Sequence, residues 1–141
     1  MRGIPGMTVF VPCDAEEAKK AVAAAVEIDG PVYLRLSRPN TDAVTDADTP
    51  FIPGKANVIR DGSDAAIFAT GLMVTRAIKA AELLEADGIS AAVVNFHTIK
   101  PIDKETILAY NGKVKAIVTA EEHFVTGGLG SAVAEVLAGH A

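Results

Sequence analysis

"AAIFATGLMVTRAIKAAELLEADGISAAVVNF" runs from Ala65 to Phe96. It opens with a short apolar run, Ala65 to Thr70, that reads as a buried strand, and Gly71 breaks it. From Val74 to Ala86 the period changes to that of a helix. Ala77, Ile78, Ala81, Leu83 and Leu84 are expected to face inward, and Arg76, Lys79, Glu82 and Glu85 outward. Gly88 is the expected C-terminal stop, and Ala91 to Phe96 is a second apolar run. Strand, helix, strand with near-continuous apolar strands predicts an α/β fold, a mostly parallel sheet flanked by helices on both faces.

The same rhythm extends both ways. Downstream, "HTIKPID" follows, Asp103 can cap a short helix through Tyr110, and Asn111-Gly112 turns the chain. A strand is expected over Val114 to Thr119 and a closing helix over Ser131 to Leu137. Upstream, "KANVIRDGSDAAIFAT" holds two strands around Asp61-Gly62, a dipeptide that predicts a hairpin. Before it, "SRPNTDAVTDADTPFIPG" is rich in proline, aspartate and threonine and has no apolar period, as a linker would be. Further back, Thr8 to Val11 and Val32 to Leu36 read as strands on either side of a helix over Ala15 to Ile28. Asp14 and Glu17 resemble a capping box, and Ala18, Val22, Ala25 and Val26 form the expected apolar face.

The chain has 141 residues, half of them hydrophobic and 22% charged, enough for a packed core. A net charge of −5 argues against binding nucleic acid or an anionic membrane surface. No apolar run is long enough to span a bilayer, and the first residues lack a secretory pattern. The single cysteine, Cys13, cannot form an internal disulfide, in keeping with a reducing cytoplasm.

Three groups of residues can carry chemistry. The Gly127–Gly130 cluster between a strand and a helix has phosphate-loop geometry, yet it reads G-G-x-G with no Lys-Ser/Thr after it. With no acidic residue downstream to hold a ribose either, a plain strand-to-helix turn is the favoured reading. Glu121, Glu122 and His123 end a strand, where ligands bind in α/β sheets, and a carboxylate beside an imidazole can serve as an acid/base pair. The plainer reading has Glu121 holding a neighbouring backbone and His123 half-buried, with His97 structural. Three dispersed histidines have no metal-ligand spacing. Asp14 and Arg38 lie just past two strands and share one carboxyl edge if those strands are parallel. Arg38 offers a planar donor for phosphate and Asp14 an acceptor for a hydroxyl; an N-cap and a solvated arginine are the alternatives.

"RGIPGMTVFVPCDAEEAKKA", "GPVYLRLSRP", "GKANVIRDGSDAAIFATGLMV", "VVNFHTIKPID" and "EEHFVTGGLGSAVAEV" together resemble transketolase, most closely the C-terminal subunit of split transketolases. The resemblance spans nearly the whole chain. It implies the end of a pyrimidine-binding domain over residues 1–40, a linker over 41–53 and a transketolase C-terminal domain over 54–141, truncated. It implies an enzyme of carbohydrate metabolism and the pentose phosphate pathway that moves a two-carbon ketol unit between sugar phosphates with thiamine diphosphate and Mg²⁺. Neither cofactor is expected to bind this chain alone, because the pyrimidine-activating glutamate and its aromatic neighbours are expected upstream of Met1. The metal and diphosphate ligands are expected in another domain. The implied partners are an N-terminal transketolase subunit and a second copy of the C-terminal subunit. By resemblance the substrate-binding residues are Asp14, for a hydroxyl, and Arg38, for a phosphate. The glycine cluster becomes a turn in a domain that binds no cofactor. Deoxyxylulose-phosphate synthase, the beta chain of a 2-oxoacid dehydrogenase and a non-catalytic assembly module are the alternatives; "LRLSRP" favours transketolase.

Overall fold

A computed structural model describes residues 1–140. The elements are β1 (Thr8–Phe10), α1 (Ala15–Val26), β2 (Val32–Leu34), β3 (Asn57–Arg60), β4 (Ala65–Ala69), α2 (Met73–Ala86), β5 (Ala91–Asn95), β6 (Thr98–Lys100), α3 (Lys104–Tyr110), β7 (Ala116–Ala120) and α4 (Leu129–Ala138). The α/β class is as expected. The strands form two sheets, one ordered β2-β1-β6 and one ordered β3-β5-β4-β7. β1 and β2 are parallel, as are β4 with β5 and β4 with β7. β3 and β6 each join antiparallel at an edge, so the parallel core is flanked by mixed edges.

Period-2 alternation along β4 and β5 divides the core between two faces. Ala66, Phe68, Ala92 and Val94 face α3 and α4 and pack with Ile107, Tyr110, Leu129 and Val133. Ile67, Ala69, Ala91 and Val93 face α2 and pack with Val74, Ala77 and Ala81. Burying Phe68 alone contributes roughly 2–3 kcal/mol. Val9 of β1 and Val11 just past it belong to the former cluster. β6, which the sequence reading missed, pairs with β1. The two sheets share this hydrophobic cluster, and β6 carries the chain from β5 of the second sheet into the first.

The expected hairpin at Asp61-Gly62 does not form. β3 and β4 are consecutive, but β5 lies between them. The loop instead crosses the start of β5, where the backbone N–H groups of Ser63, Asp64 and Ala65 all donate to Ser90 O. The facing of two helices also differs from expectation. Leu83 is 73% exposed, since its neighbour Leu84 takes the core side. In α1 the buried positions are Glu17 and Ala21, while Val22 and Val26 face out.

Residues 41–53 contain no helix or strand, yet they are pinned. Asp14 accepts from Val44 N and Thr45 N, Lys20 Nζ donates to Asp46 O and Thr49 O, and Phe51 stacks on His97 with ring centroids 4.1 Å apart. His97 is fully buried, with Nδ1 3.0 Å from Thr98 Oγ1 and no partner for Nε2 among the described residues. Burial pushes its pKa down to about 4, against a weaker upward pull from Asp103. The fold therefore favours neutral His97. That stability is complete above the ordinary pKa near 6.5 and is lost as pH falls toward about 4, by about 3 kcal/mol. Glu17, raised chiefly by burial, works in the opposite sense. His97→Phe keeps the stack and removes the proton. Urea titrations at stepped pH should show a shallower acid loss in this variant, and an unchanged slope would rule His97 out as its cause.

Candidate functional site

The carboxyl ends of β1 and β2 carry the pair singled out in the sequence. Asp14 follows β1 and caps α1, accepting from Glu17 N at 2.8 Å. Its carboxylate is 6% exposed and takes three further donors: Thr45 Oγ1 at 2.8 Å, Val44 N at 2.8 Å and Thr45 N at 2.6 Å. Burial pushes its pKa up, but the backbone donors of Glu17, Thr45 and Val44 with the Thr45 hydroxyl outweigh it and hold Asp14 below the ordinary carboxylate value. Arg38 follows β2 in an exposed loop. Its guanidinium makes no hydrogen bond or ion pair among the described residues. Both residues line one groove of about 310 Å³, with Pro12, Ser37 and Thr41. The structure thus brings Asp14 and Arg38 to one rim, with Asp14 committed to the chain and Arg38 free.

Behind this rim lies a network that the sequence reading only half anticipated. Glu17 is 1% exposed. It reaches back as a capping-box glutamate does, but to Cys13 N at 2.7 Å, one residue before the cap. Its other oxygen accepts from Asn95 Nδ2 at 2.8 Å, at the end of β5. The spacing of Asp14 and Glu17 was the available signal; Asn95, far along the chain, could not be inferred from it.

The glycine cluster is resolved by Glu121, just past β7. Its carboxylate accepts from Leu129 N and Gly130 N, both at 2.7 Å, at the first turn of α4. An anion is already bound where a phosphate would sit, and it comes from the chain itself. A Cβ on Gly128 would lie 2.0 Å from Glu121 Oε2, so glycine is needed for the carboxylate to approach. Gly127 has φ 88°, a conformation that suits glycine. Glu122 and His123 are exposed, and His123 Nδ1 lies 2.9 Å from Phe124 O. His123 makes no hydrogen bond to either glutamate, so no acid/base pair forms, and it is not half-buried as expected. Titration with ATP or NAD should give no saturable binding. Glu121→Ala should destabilise the protein by roughly 1–3 kcal/mol, because two donors at the helix start lose their acceptor. Equal unfolding midpoints for variant and parent would remove Glu121 from this role.

No helix among the described residues is long and apolar enough to cross a membrane. No group of three His, Cys, Asp or Glu side chains among them could hold a metal ion.

The chain matches two family descriptions: the transketolase pyrimidine binding domain over residues 1–43 and the transketolase C-terminal domain over residues 54–141. It is 47% identical, over 97% of its length and 42% of the relative's, to the 6-deoxy-6-sulfo-D-fructose transketolase subunit of Clostridium sp. (strain MSTE9). It is 40% identical, over 97% of its length and 44% of the relative's, to an apulose-4-phosphate transketolase subunit of Phocaeicola vulgatus. The 1-deoxy-D-xylulose-5-phosphate synthase of Heliobacterium modesticaldum is 42% identical over 97% of this chain and 22% of that protein. A solved split-gene transketolase, described as an inactive beta4 tetramer, superposes with a TM-score of 0.96 at 49% identity, covering 99% of this chain and 46% of that one. The chain therefore spans less than half the length of these relatives. With both family descriptions matched in order and the fold superposing throughout, the chain belongs to the transketolase family.

Proposed function

We propose that the chain contributes the substrate-phosphate site and an assembly domain to a thiamine diphosphate-dependent transketolase. The complete enzyme would transfer a two-carbon ketol unit between sugar phosphates. The observation that carries this reading is the free Arg38 guanidinium at the carboxyl edge of β1 and β2, where α/β sheets bind ligands. The names of two relatives point the same way, since one carries a sulfo-sugar and the other a sugar phosphate. Both end in an anionic group that a planar guanidinium suits. Asp14 sits on the same rim. It can meet a substrate hydroxyl only by yielding the Thr45 hydroxyl, and otherwise it sets the loop that carries Arg38.

In this reading residues 1–40 end a pyrimidine-binding domain, 41–53 link, and 54–141 form the C-terminal domain. Among the described residues no cluster of His, Cys, Asp or Glu side chains fits Mg²⁺. Thiamine diphosphate and the metal would be held by the rest of the pyrimidine-binding domain and by another domain of the complete enzyme, whose partners would be an N-terminal subunit and a second copy of the C-terminal subunit, in the cytoplasm. In the assembled enzyme, Arg38→Ala should raise KM for phosphorylated sugars roughly tenfold or more and change KM for unphosphorylated ones little. Equal effects on both substrate kinds would show that Arg38 is not the phosphate ligand.

A further inference from the structure

A second crevice, of about 550 Å³, lies apart from Arg38, between the first sheet and the β7–α4 loop. The chain just past two pairs of parallel strands, one pair in each sheet, converges on it. Val11 follows β1, Arg35 follows β2, Thr70 follows β4, and Glu121 to Phe124 follow β7. The outer carboxyl ends of parallel strands are where ligands settle in such sheets, and the volume suits a small molecule.

Its walls are of two kinds. Val9, Val11, Ile99 and Leu129 give it an apolar floor. The polar groups differ in how far they are already used. Arg2 is neutralised by a bidentate pair with Glu135, at 2.7 and 2.6 Å. Glu121 is held by the start of α4. The Thr70 hydroxyl donates to Phe96 O. Glu122 and His123 are exposed, where solvent and salt screen charge. Arg35 is half-buried, and its one side-chain bond is to a neutral acceptor, Glu122 O; it has no ion pair among the described residues. The half-buried Tyr33 contributes a hydroxyl with no hydrogen-bond partner among them. An apolar floor, one uncompensated guanidinium and one spare hydroxyl are complementary to an anion with an apolar body.

We propose that this crevice binds a small organic anion, a carboxylate or a phosphate ester with an apolar body, through Arg35 and Tyr33. It is a site distinct from the substrate phosphate at Arg38. Because its walls come from both sheets, a bound anion would also tie the first sheet to the β7–α4 loop.

The test is calorimetric titration of the full chain with phenyl phosphate and with benzoate, which separate the two kinds of anion. Inorganic phosphate and benzyl alcohol supply the charge and the apolar body alone. At least one of the two aromatic anions should bind saturably at one site, with both half-ligands weaker by roughly tenfold or more. Arg35→Gln should weaken the binding by a similar factor, and Arg38→Ala should leave it unchanged. Tyr33→Phe, which leaves the Arg35–Glu122 contact in place, should weaken it several-fold and guards against a loop disturbed in Arg35→Gln. Absence of saturable binding by either aromatic anion overturns the proposal. So does equal binding by inorganic phosphate, unchanged binding in Tyr33→Phe, or a site lost in Arg38→Ala. Only the last outcome bears on the Arg38 reading, and it would support it.

Discussion

Gly62→Ala is expected to destabilise the protein by roughly 3 kcal/mol or more, well beyond an ordinary loop substitution. The reason lies in the order of the second sheet. The chain leaves β3 on one side of β5 and must enter β4 on the other. Residues 61–64 therefore pass over the first residues of β5. A Cβ on Gly62 would stand 2.1 Å from Ala92 N and 2.3 Å from Ala91 C, both backbone atoms of a central strand that cannot move aside. The crossing is held on its other side by Asp64, which accepts from Ser90 N at 3.0 Å and from Lys115 Nζ at 2.9 Å. Gly88 is the control. It has φ 77° and nothing within 4 Å of an added Cβ, so Gly88→Ala carries only left-handed strain of roughly 1–2 kcal/mol. Urea unfolding of the two variants decides the matter. Equal losses would mean that the loop does not cross β5 as described.

That glycine also shows what local sequence can and cannot say. Asp61-Gly62 marks where the chain turns, and the turn is there. Which strand it turns toward depends on a competition among β3, β4 and β5 that no dipeptide encodes. Consecutive strands are neighbours in most sheets, and here an antiparallel edge strand takes the place beyond β5 instead. The helix α2 was legible because its apolar period and its stop at Gly88 are local. Leu83 was not, because it lies about 100° round the helix from Leu84 and packing on the sheet took Leu84. In α1 the inward choice of Glu17 over Val22 follows from two buried donors, Cys13 N and Asn95 Nδ2, the second far away in sequence. β6 is three residues long and pairs with the opposite end of the chain, so no period announces it. At the candidate site the positions of Asp14 and Arg38 past two strands were readable. The saturation of Asp14 by Val44 and Thr45 was not, because it depends on the path of a stretch without regular structure.

The chain by itself should show no ketol transfer and no stoichiometric binding of thiamine diphosphate with Mg²⁺. Thiamine catalysis needs a carboxylate to engage the pyrimidine, ligands for a metal and a pocket for the ring. The buried and half-buried carboxylates are committed elsewhere. Asp14 takes four donors, Glu17 binds Cys13 N and Asn95, and Glu121 caps α4. Asp103 caps α3 and accepts from Ala56 N at 2.9 Å. Freeing any of these would strand buried donors at roughly 1–3 kcal/mol each, a cost set against any gain from the cofactor. The aromatic side chains are equally occupied. Phe10, Phe68 and Phe96 are fully buried in the core, Tyr110 packs against Phe68, and Phe51 lies on His97. Phe124 is 85% exposed. The polar groups left uncommitted among the described residues include the Arg38 guanidinium, the charge of Arg35 and the Tyr33 hydroxyl, and none of them is a carboxylate that could engage the pyrimidine. Calorimetry with thiamine diphosphate and Mg²⁺, followed by a coupled ketol-transfer assay on the purified chain, tests this. Stoichiometric cofactor binding or turnover by these 141 residues alone would show that the carboxylate assignments are wrong.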